Sequence, residues 1–293
     1  AFACLAEEAG LPPGALNVVP GLGAEAGATL SEHPDIDHIS FTGSVITGTK
    51  IQAAAAETIT PVTLELGGKS PQLVFSDADL DAALPFLVNA GIQNAGQTCS
   101  AAARILVQAD IFDDVRERMA TAYRALTVGP AEEDLSLGPL ISARQKALVE
   151  AYLGEATPDR IVAQGTLVES ATGGHYVRPT LLTGVQPGER LEQEEIFGPV
   201  QVLLPFDTEE DAIRIANGTP YGLVAGVWTR DGARQMRLAK ALRAGQVFIN
   251  NYGAGGGVEL PFGGVGHSGH GREKGFEALY GFSTLKTVAA KHG

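Results

Sequence analysis

Residues 61–75, PVTLELGGKSPQLVF, contain two strand-like runs joined at the glycine pair Gly67-Gly68. A helical pattern of apolar residues follows from Leu80 to Ile92, and residues 104–107 form another strand-like run. Strand-like and helical patterns go on alternating as far as residue 250. This alternation is expected of a parallel sheet with helices on its faces, so the sequence predicts an α/β fold.

The chain upstream of this stretch contains two glycine-rich turns. The first follows the apolar run 15–19, for which we predict a strand. Its Gly21, Gly23 and Ala26 fit the dinucleotide fingerprint G-x-G-x-x-G/A. A single match of this kind is weak, and a glycine-rich turn between a strand and a helix, without any ligand, fits the same residues.

The second turn follows the alternating run 36–41 and leads through Gly43 to Ser44, which stands where a helix N-cap belongs. An alanine-rich helical pattern then extends to about Glu57. A strand, a tight turn and a helix N-terminus together present unpaired backbone N–H groups and the positive end of a dipole, which suit a pyrophosphate. A capped helix that binds no ligand is the alternative.

The composition argues against several classes of partner. The 293 residues carry a formal net charge of −13 and their basic residues are scattered, so we expect no binding to nucleic acid or to membranes. The two cysteines, Cys4 and Cys99, build no disulfide framework, and no Cys/His cluster has a familiar metal-ligand spacing. We therefore expect a reducing, cytoplasmic setting and no metal.

Glu65 is unusual because it stands between Leu64 and Leu66 in the first strand-like run. A carboxylate at such a position faces either solvent or a site in which its desolvation is useful. An outward-facing glutamate on an edge strand satisfies the alternation equally well. The strand pattern alone leaves both interpretations open.

Cys99 lies in Asn94-Ala95-Gly96-Gln97-Thr98-Cys99-Ser100, between a helical pattern and a strand-like run. A buried cysteine is usually a small hydrophobic residue, but these neighbours make a poor apolar pocket. They indicate a backbone corner whose N–H groups could lower the thiol pKa and stabilise an oxyanion. No Cys/His/Asn order typical of cysteine proteases is evident, so a carboxylate, with Glu65 first, is the candidate base.

The motifs around these two residues resemble those of the aldehyde dehydrogenase superfamily. The specific pair is Leu64-Glu65-Leu66-Gly67-Gly68-Lys69-Ser70-Pro71 followed by Gly96-Gln97-Thr98-Cys99. Further motifs in the family's order are Phe41-Thr42-Gly43-Ser44, Glu195-Ile196-Phe197-Gly198-Pro199-Val200 and Pro261-Phe262-Gly263-Gly264. The resemblance covers nearly the whole chain.

The resemblance implies oxidation of a small-molecule aldehyde to a carboxylic acid, with NAD as the cofactor and NADP as the alternative. Cys99 would form a thiohemiacetal and then a thioester, with its own N–H holding the oxyanion. Glu65 would activate water, a task that favours a pKa raised toward neutrality by apolar flanks. The other implied contacts are Gly23 and Gly27 near the adenine, Gly43, Ser44 and Gly48 at the pyrophosphate, Leu66 at the cofactor, Glu195 at the nicotinamide ribose, Phe197 at the nicotinamide ring and Asn250 near the substrate pocket.

The resemblance also implies a division of the chain. Residues 1–66 would be the C-terminal part of a Rossmann-type dinucleotide-binding domain, and residues 67–270 an α/β catalytic domain. Residues 271–293 would be a tail whose strand, 282–288, assembles a homodimer or homotetramer when the protein is full length. The family's first Rossmann strands, its oxyanion-binding Asn and its adenosine-ribose contacts have no counterpart here, so we expect an upstream segment to be missing.

Two rival functions fit the same residues. A CoA-acylating aldehyde dehydrogenase would transfer the acyl group to a thiol, for which water activation by Glu65 would be unwanted. An inactive truncated fragment would act only as a binding or oligomerising module. The residues leave open which aldehyde is used and whether NAD or NADP is bound.

Overall fold

The computed structural model describes residues 1–168, 172–253 and 257–293. Of the glycine-rich loop predicted over residues 253–271, residues 254–256 lie outside the described residues. The strands are β1 (Ile39–Thr42), β2 (Val62–Glu65), β3 (Pro71–Val74), β4 (Arg104–Gln108), β5 (Thr127–Val128), β6 (Ile161–Gln164), β7 (Thr166–Leu167), β8 (Thr180–Leu182), β9 (Val200–Phe206), β10 (Val224–Trp228), β11 (Gln246–Ile249) and β12 (Gly269–His270). The α-helices are α1 (Phe2–Glu8), α2 (Ala28–Glu32), α3 (Val45–Thr58), α4 (Leu80–Ile92), α5 (Phe112–Ala125), α6 (Ala143–Leu153), α7 (Arg190–Gln193), α8 (Glu209–Ala216), α9 (Gly232–Ala241) and α10 (Gly275–Gly281). Within these described ranges, no helix combines the length and the apolar character needed to cross a membrane.

The larger sheet has the strand order β11-β10-β3-β4-β9-β8-β6. Neighbouring strands are parallel, except that β6 runs antiparallel to β8 at one edge. Parallel strands covered on both faces read as continuous apolar runs, and all residues of β3 and of β10 are buried. The predicted α/β fold is therefore confirmed.

Side-chain caps begin several of the helices in the larger sheet's connections. Asp79 caps α4, Ser142 caps α6 and Thr208 caps α8, each by accepting a backbone N–H of the first helical turn. The helix α4 ends at Ile92, a single tight turn follows at Gln93–Gly96, and the loop to β4 carries Cys99. Cys99 thus lies between a helix and a strand, as predicted.

A smaller sheet has the order β1-β2-β12. Its first two strands are parallel, with Thr42 opposite Glu65, and β12 is antiparallel to β2. The chain leaves this sheet after Glu65 and enters the larger sheet at Pro71, through Gly67-Gly68. The predicted domain boundary at residue 66 lies in this crossing, although β12 returns to the smaller sheet. The division into three domains stays a prediction.

Two predicted strands are not found among the described residues. Residues 15–19 form turns and irregular backbone with mostly exposed side chains, and the Asn17 amide bonds to the Gly14 carbonyl at 2.8 Å. Residues 282–288 form no strand with any part of the chain that the structure describes, and Leu285 and Val288 are exposed. A strand forms only where its N–H and C=O groups pair with a neighbour. The prediction of a strand at residues 15–19 is therefore wrong, whereas the assembly strand at residues 282–288 stays a prediction, because its expected partner is a second copy of the chain.

Candidate active site

Glu65 ends β2 with only 2% of its surface exposed. Neither carboxylate oxygen has a hydrogen-bond partner among the described residues. Burial raises the pKa of Glu65 to about 8, and the Glu273 carboxylate adds to the rise, while Arg272 and Lys274 oppose it. The interpretation as an outward-facing edge residue is therefore wrong, and the expected rise in pKa is present.

The glycine-rich loop after β11 forms one wall around this carboxylate. A Cβ atom on Gly263 would lie 2.7 Å from Glu65 Oε1. Ser268 anchors the loop, because its hydroxyl donates to the Gly67 carbonyl at 2.7 Å and accepts the Gly222 N–H at 3.0 Å. Sequence reasoning gave Gly263 and Ser268 no role of their own, since no local pattern shows which strand a distant loop will cover.

Three consecutive residues with left-handed backbone carry the chain toward Cys99. Asn94, Ala95 and Gly96 have φ values of 52°, 55° and 74°. The Asn94 side chain donates to the Gln97 carbonyl at 3.1 Å, and the Gln97 side chain donates to the Asn94 carbonyl at 3.0 Å. Such backbone strain persists only where surrounding bonds hold it, and it is concentrated at functional sites.

Gly96 brings the Cys99 loop against the segment that carries Phe197. A Cβ atom on Gly96 would lie 2.1 Å from the Gly198 carbonyl oxygen. The Phe197 carbonyl accepts a hydrogen bond from the Gln145 side-chain amide at 2.9 Å. The Phe197 ring is partly exposed. The backbones of two motifs that are about 100 residues apart in the sequence are therefore in direct contact.

Glu195 and Cys99 lie against the same dipeptide, Gly67-Gly68. Glu195 Oε1 accepts the Gly68 N–H at 3.1 Å, and a Cβ atom on Gly67 would lie 2.2 Å from Glu195 Oε2. A Cβ atom on Gly68 would lie 2.3 Å from the Cys99 carbonyl oxygen. Because Glu65 ends the strand just before this dipeptide, the structure brings Glu65, Cys99 and Glu195 together.

The Cys99 thiol has a pKa raised above its ordinary value. Burial is the largest cause, the Glu195 and Glu65 carboxylates come next, and hydrogen bonds from the Ser100 and Cys99 N–H groups lower the pKa by less. The lowering expected from the backbone corner is present but outweighed. The charge of the two neighbouring carboxylates therefore bears directly on how much thiolate Cys99 forms.

The second glycine turn lies at the same end of the smaller sheet. The Gly43 N–H donates to the Glu65 carbonyl at 3.0 Å. Ser44 caps α3, as predicted, by accepting an N–H of the first turn at 3.3 Å. Gly48 is buried, and a Cβ atom there would lie 2.6 Å from the Leu66 side chain. Gly43 and Ser44 therefore lie beside Glu65, while Gly48 and Leu66 pack against each other.

Gly23 and Gly27 line a cavity of about 670 Å³ beside β1 and α3. A Cβ atom built on either glycine would meet nothing within 4 Å. Thr47 and Lys50 of α3 contribute to the opposite wall. A cavity of this volume is in the range of small-molecule sites, so the two glycines and the start of α3 share one open space.

Asn250 uses its side chain to bind the main chain of Thr229. Its Oδ1 accepts the Thr229 N–H and its Nδ2 donates to the Thr229 carbonyl, both at 3.0 Å. Tyr252, two residues further on, donates its hydroxyl to the Ser100 carbonyl at 2.5 Å. Sequence reasoning missed Tyr252, because a single aromatic residue in a glycine-rich stretch gives no periodic signal.

A cleft of about 450 Å³ opens beside the Cys99 loop. Asn89 and Gln93 line one side of it, residues 136–139 line another, and Asn94 and Tyr252 connect it to the Cys99 loop. Its described lining residues carry no formal charge. The cleft therefore suits an uncharged organic molecule beside the loop that carries Cys99.

A buried charged cluster lies next to Gly68. Arg104 and Glu192 form an ion pair at 2.6 Å, with both side chains 1% exposed. The Arg104 guanidinium also donates to the carbonyls of Lys69, Ile215 and Ala216 at 2.9, 2.8 and 2.7 Å. Lys69 is itself fully buried. Sequence reasoning assigned no role to this cluster, and the position of Lys69 in the Glu65 motif was the only signal for it.

Comparisons with known proteins agree on one family. The model of the aldehyde dehydrogenase family matches residues 1–288. Rat "Aldehyde dehydrogenase, cytosolic 1" is 43% identical over 297 residues, which cover 99% of this chain and 58% of the rat protein. Human 4-trimethylaminobutyraldehyde dehydrogenase is 42% identical over 293 residues, covering 98% of this chain and 59% of the human protein. The chain therefore spans about 58% of the length of these curated relatives.

Solved structures give the same result. A candidate aldehyde dehydrogenase from Burkholderia cenocepacia is similar with a TM-score of 0.96 and 64% identity, over 99% of this chain and 61% of the other. The NAD+ complex of an aldehyde dehydrogenase from Bacillus cereus has a TM-score of 0.92 and 40% identity, over 97% of this chain and 58% of the other.

Proposed function

The chain belongs to the aldehyde dehydrogenase family, and from this premise we propose that it carries the Cys99 and Glu65 chemistry of an enzyme that oxidises an aldehyde to a carboxylic acid. NAD is the proposed cofactor, with NADP as the alternative, and the NAD+ complex of the Bacillus cereus relative supports NAD. One observation carries the proposal: a buried carboxylate, Glu65, which has no hydrogen-bond partner among the described residues, acts electrostatically on the half-buried Cys99 thiol.

In the first step the Cys99 thiolate attacks the carbonyl carbon of the aldehyde. A carbon–sulfur bond forms, the carbonyl electron pair moves to oxygen, and the Cys99 N–H stabilises the resulting oxyanion. The cleft lined by Gln93, Asn94 and Tyr252 holds the rest of the aldehyde. The product of this step is a thiohemiacetal on Cys99.

NAD bound at this site would supply the hydride acceptor for this carbon, and Cys99 would then hold the acyl group as a thioester. Glu195 would accept hydrogen bonds from the nicotinamide ribose, and the partly exposed Phe197 ring would flank the nicotinamide. Gly43 and Ser44 at the start of α3 would meet the pyrophosphate. Gly23 and Gly27 leave an open wall to the cavity beside them, which fits the adenosine end.

Glu65 completes the reaction by hydrolysing the thioester. As a carboxylate it takes a proton from water, the water oxygen attacks the acyl carbon, and the carbon–sulfur bond breaks to release the acid and the Cys99 thiolate. A pKa of about 8 suits this task because the group both accepts and releases protons near neutral pH. A buried base at this place favours hydrolysis over acyl transfer to coenzyme A.

We expect Glu65→Gln to trap the thioester on Cys99. The purified protein is mixed with an aldehyde and NAD+, and the acyl adduct is measured by intact mass together with the absorbance of NADH. Glu65→Gln should accumulate the adduct, since its amide cannot take the proton from water, whereas Cys99→Ala should form none. Turnover that survives Cys99→Ala would contradict the mechanism, and acyl-CoA as the main product would favour acyl transfer.

The tail supplies a proposed assembly surface. Residues 282–288 expose Leu285 and Val288 and pair with no strand among the residues that the structure describes. We propose that they pair with a second copy in a homodimer or homotetramer, which light scattering of the protein tests directly: a monomer at all concentrations contradicts it. The cytosolic rat relative supports a cytoplasmic setting.

A further inference from the structure

Lys69 is a buried amine that the proposed mechanism does not use. Its side chain is 1% exposed, and its Nζ has no hydrogen-bond partner in the part of the chain that the structure describes. A buried ammonium without a partner is costly, so its charged form depends on nearby opposite charges. The carboxylates that can supply this opposite charge belong to Glu192, Glu194 and Glu195.

Three glutamates of one segment surround this amine, and two of them already have partners. Glu192 pairs with Arg104 at 2.6 Å and accepts the Gly188 N–H at 3.0 Å. Glu194 accepts the Tyr152 hydroxyl at 2.7 Å and the Arg190 guanidinium at 3.0 Å. The carboxylates of Glu192 and Glu194 therefore already bind groups other than Lys69.

Glu195 has the fewest hydrogen-bond partners of the three glutamates among the described residues. In the described structure its carboxylate receives one hydrogen bond, from the Gly68 N–H, and Gly68 is the residue immediately before Lys69. Arg104, Glu192, Glu194 and Glu195 are the charged groups that act on Lys69. Lys69 is in turn the one cation that acts on Glu195 among the described residues.

The two groups titrate over the same pH range. Burial, and then the neighbouring Arg104, lower the pKa of Lys69 to about 7, while Glu192, Glu195 and Glu194 oppose that fall. Burial raises the pKa of Glu195 to about 7, against the opposing effects of the Gly68 N–H and Lys69. Each group therefore favours the charged form of the other.

We propose that Lys69 is a positioning residue for Glu195, whose amine keeps the Glu195 carboxylate ionised at neutral pH. An ionised carboxylate accepts two hydrogen bonds from a vicinal diol more strongly than a carboxylic acid does. The consequence for a ribose ligand rests on the proposed function, whereas the charge coupling between Lys69 and Glu195 does not.

Cys99 offers a reporter that requires neither cofactor nor turnover. A charged Glu195 opposes thiolate formation at Cys99, and the charged groups with the largest effect on the thiol are the Glu195 and Glu65 carboxylates. Loss of the Lys69 charge should raise the pKa of Glu195. More Glu195 is then neutral near pH 7, and the thiolate of Cys99 becomes more abundant in that range.

The experiment measures the alkylation of Cys99 by iodoacetamide from about pH 6 to about pH 10, in a Cys4→Ser background that removes the exposed second thiol. Lys69→Met keeps the length of the side chain and removes its charge. We expect alkylation to accelerate several-fold near neutral pH and to converge with the parent protein at high pH. Glu195→Gln should also accelerate alkylation, and Lys69→Met should then add nothing further.

The double-mutant comparison separates this role from a purely structural one. A structural role would change alkylation by the same factor with Glu195 or with Gln at that position, and that result would overturn the proposal, as would an unchanged profile in Lys69→Met. Thermal melting identifies variants that fail to fold. Lys69→Gln serves as the second neutral variant if Lys69→Met does not fold.

Discussion

Glu65 combines two properties that a carboxylate rarely has on a strand: both oxygens are buried, and neither has a hydrogen-bond partner in the described structure. Its pKa of about 8 lies above the ordinary value of 4.5 because water is excluded. The folded protein therefore binds more protons than the unfolded chain between these two pH values. By linkage, the contribution of Glu65 to stability falls as pH rises through that window.

Glu65→Gln should therefore stabilise the protein at alkaline pH. The neutral amide removes the cost of ionising a buried group, so we expect a gain on the order of 3 kcal/mol at about pH 8 and little change at about pH 5. Urea unfolding at both pH values measures it. The matched control is Glu132→Gln, at an exposed position, which should change stability at neither pH; equal gains at both pH values for Glu65→Gln would contradict the linkage.

At the scale of the elements, the site depends on loops that contact each other at glycines, where no side chain separates the backbones. The turn after α4 touches the segment before β9 at Gly96 and Gly198. The crossing between the two sheets passes Glu195 and Cys99 at Gly67-Gly68. These contacts hold the cysteine at a set distance from strands β2 and β9, because backbone packs with little freedom to adjust.

We expect Gly96→Ala to destabilise the protein strongly. The new methyl group meets the Gly198 carbonyl, and a φ of 74° is unfavourable for alanine, so the cost is on the order of 3 kcal/mol or more. Gly138→Ala is the control, because nothing lies within 4 Å of its added Cβ atom. Denaturant titration of both variants decides the matter: a similar small effect for the two would show that the loops can separate without cost.

At the scale of the whole molecule, a buried ion pair links elements that lie far apart in the sequence. Arg104 on β4 binds Glu192 on α7, the carbonyls at the end of α8 and the Lys69 carbonyl. Two buried charges in direct contact stabilise each other, and removing one leaves the other uncompensated.

Glu192→Gln should therefore cost about 3 kcal/mol, because it leaves the Arg104 charge buried without a counter-ion. Asp113→Asn is the matched control, since Asp113 pairs with Arg116 at 2.9 Å with side chains 83% and 40% exposed. Exposed pairs contribute little, so this variant should stay within about 0.5 kcal/mol of the parent. Thermal or urea unfolding of the two variants distinguishes these outcomes, and equal costs would contradict the burial argument.

Much of the fold could be predicted because local patterns of apolar residues indicate its strands and helices. The apolar runs of β3, β4 and β10 and the helical repeats between them predict parallel strands with crossing helices, and these are present. The strand expected at residues 15–19 was predicted from the same kind of pattern and is not formed. A strand also needs a neighbouring strand with which to form hydrogen bonds, and a local sequence pattern does not show whether one is present.

By itself, the sequence determined the α/β class, the order of the motifs and the resemblance that singles out Cys99 and Glu65. Only the tertiary structure decided that Glu65 faces inward, that the Cys99 thiol pKa is raised rather than lowered, and that the buried Lys69 and Glu195 influence each other's charge. The physical reason is that a side chain's charge depends on its solvation and on neighbours brought close by folding, whereas motif and period depend only on the order of residues along the chain.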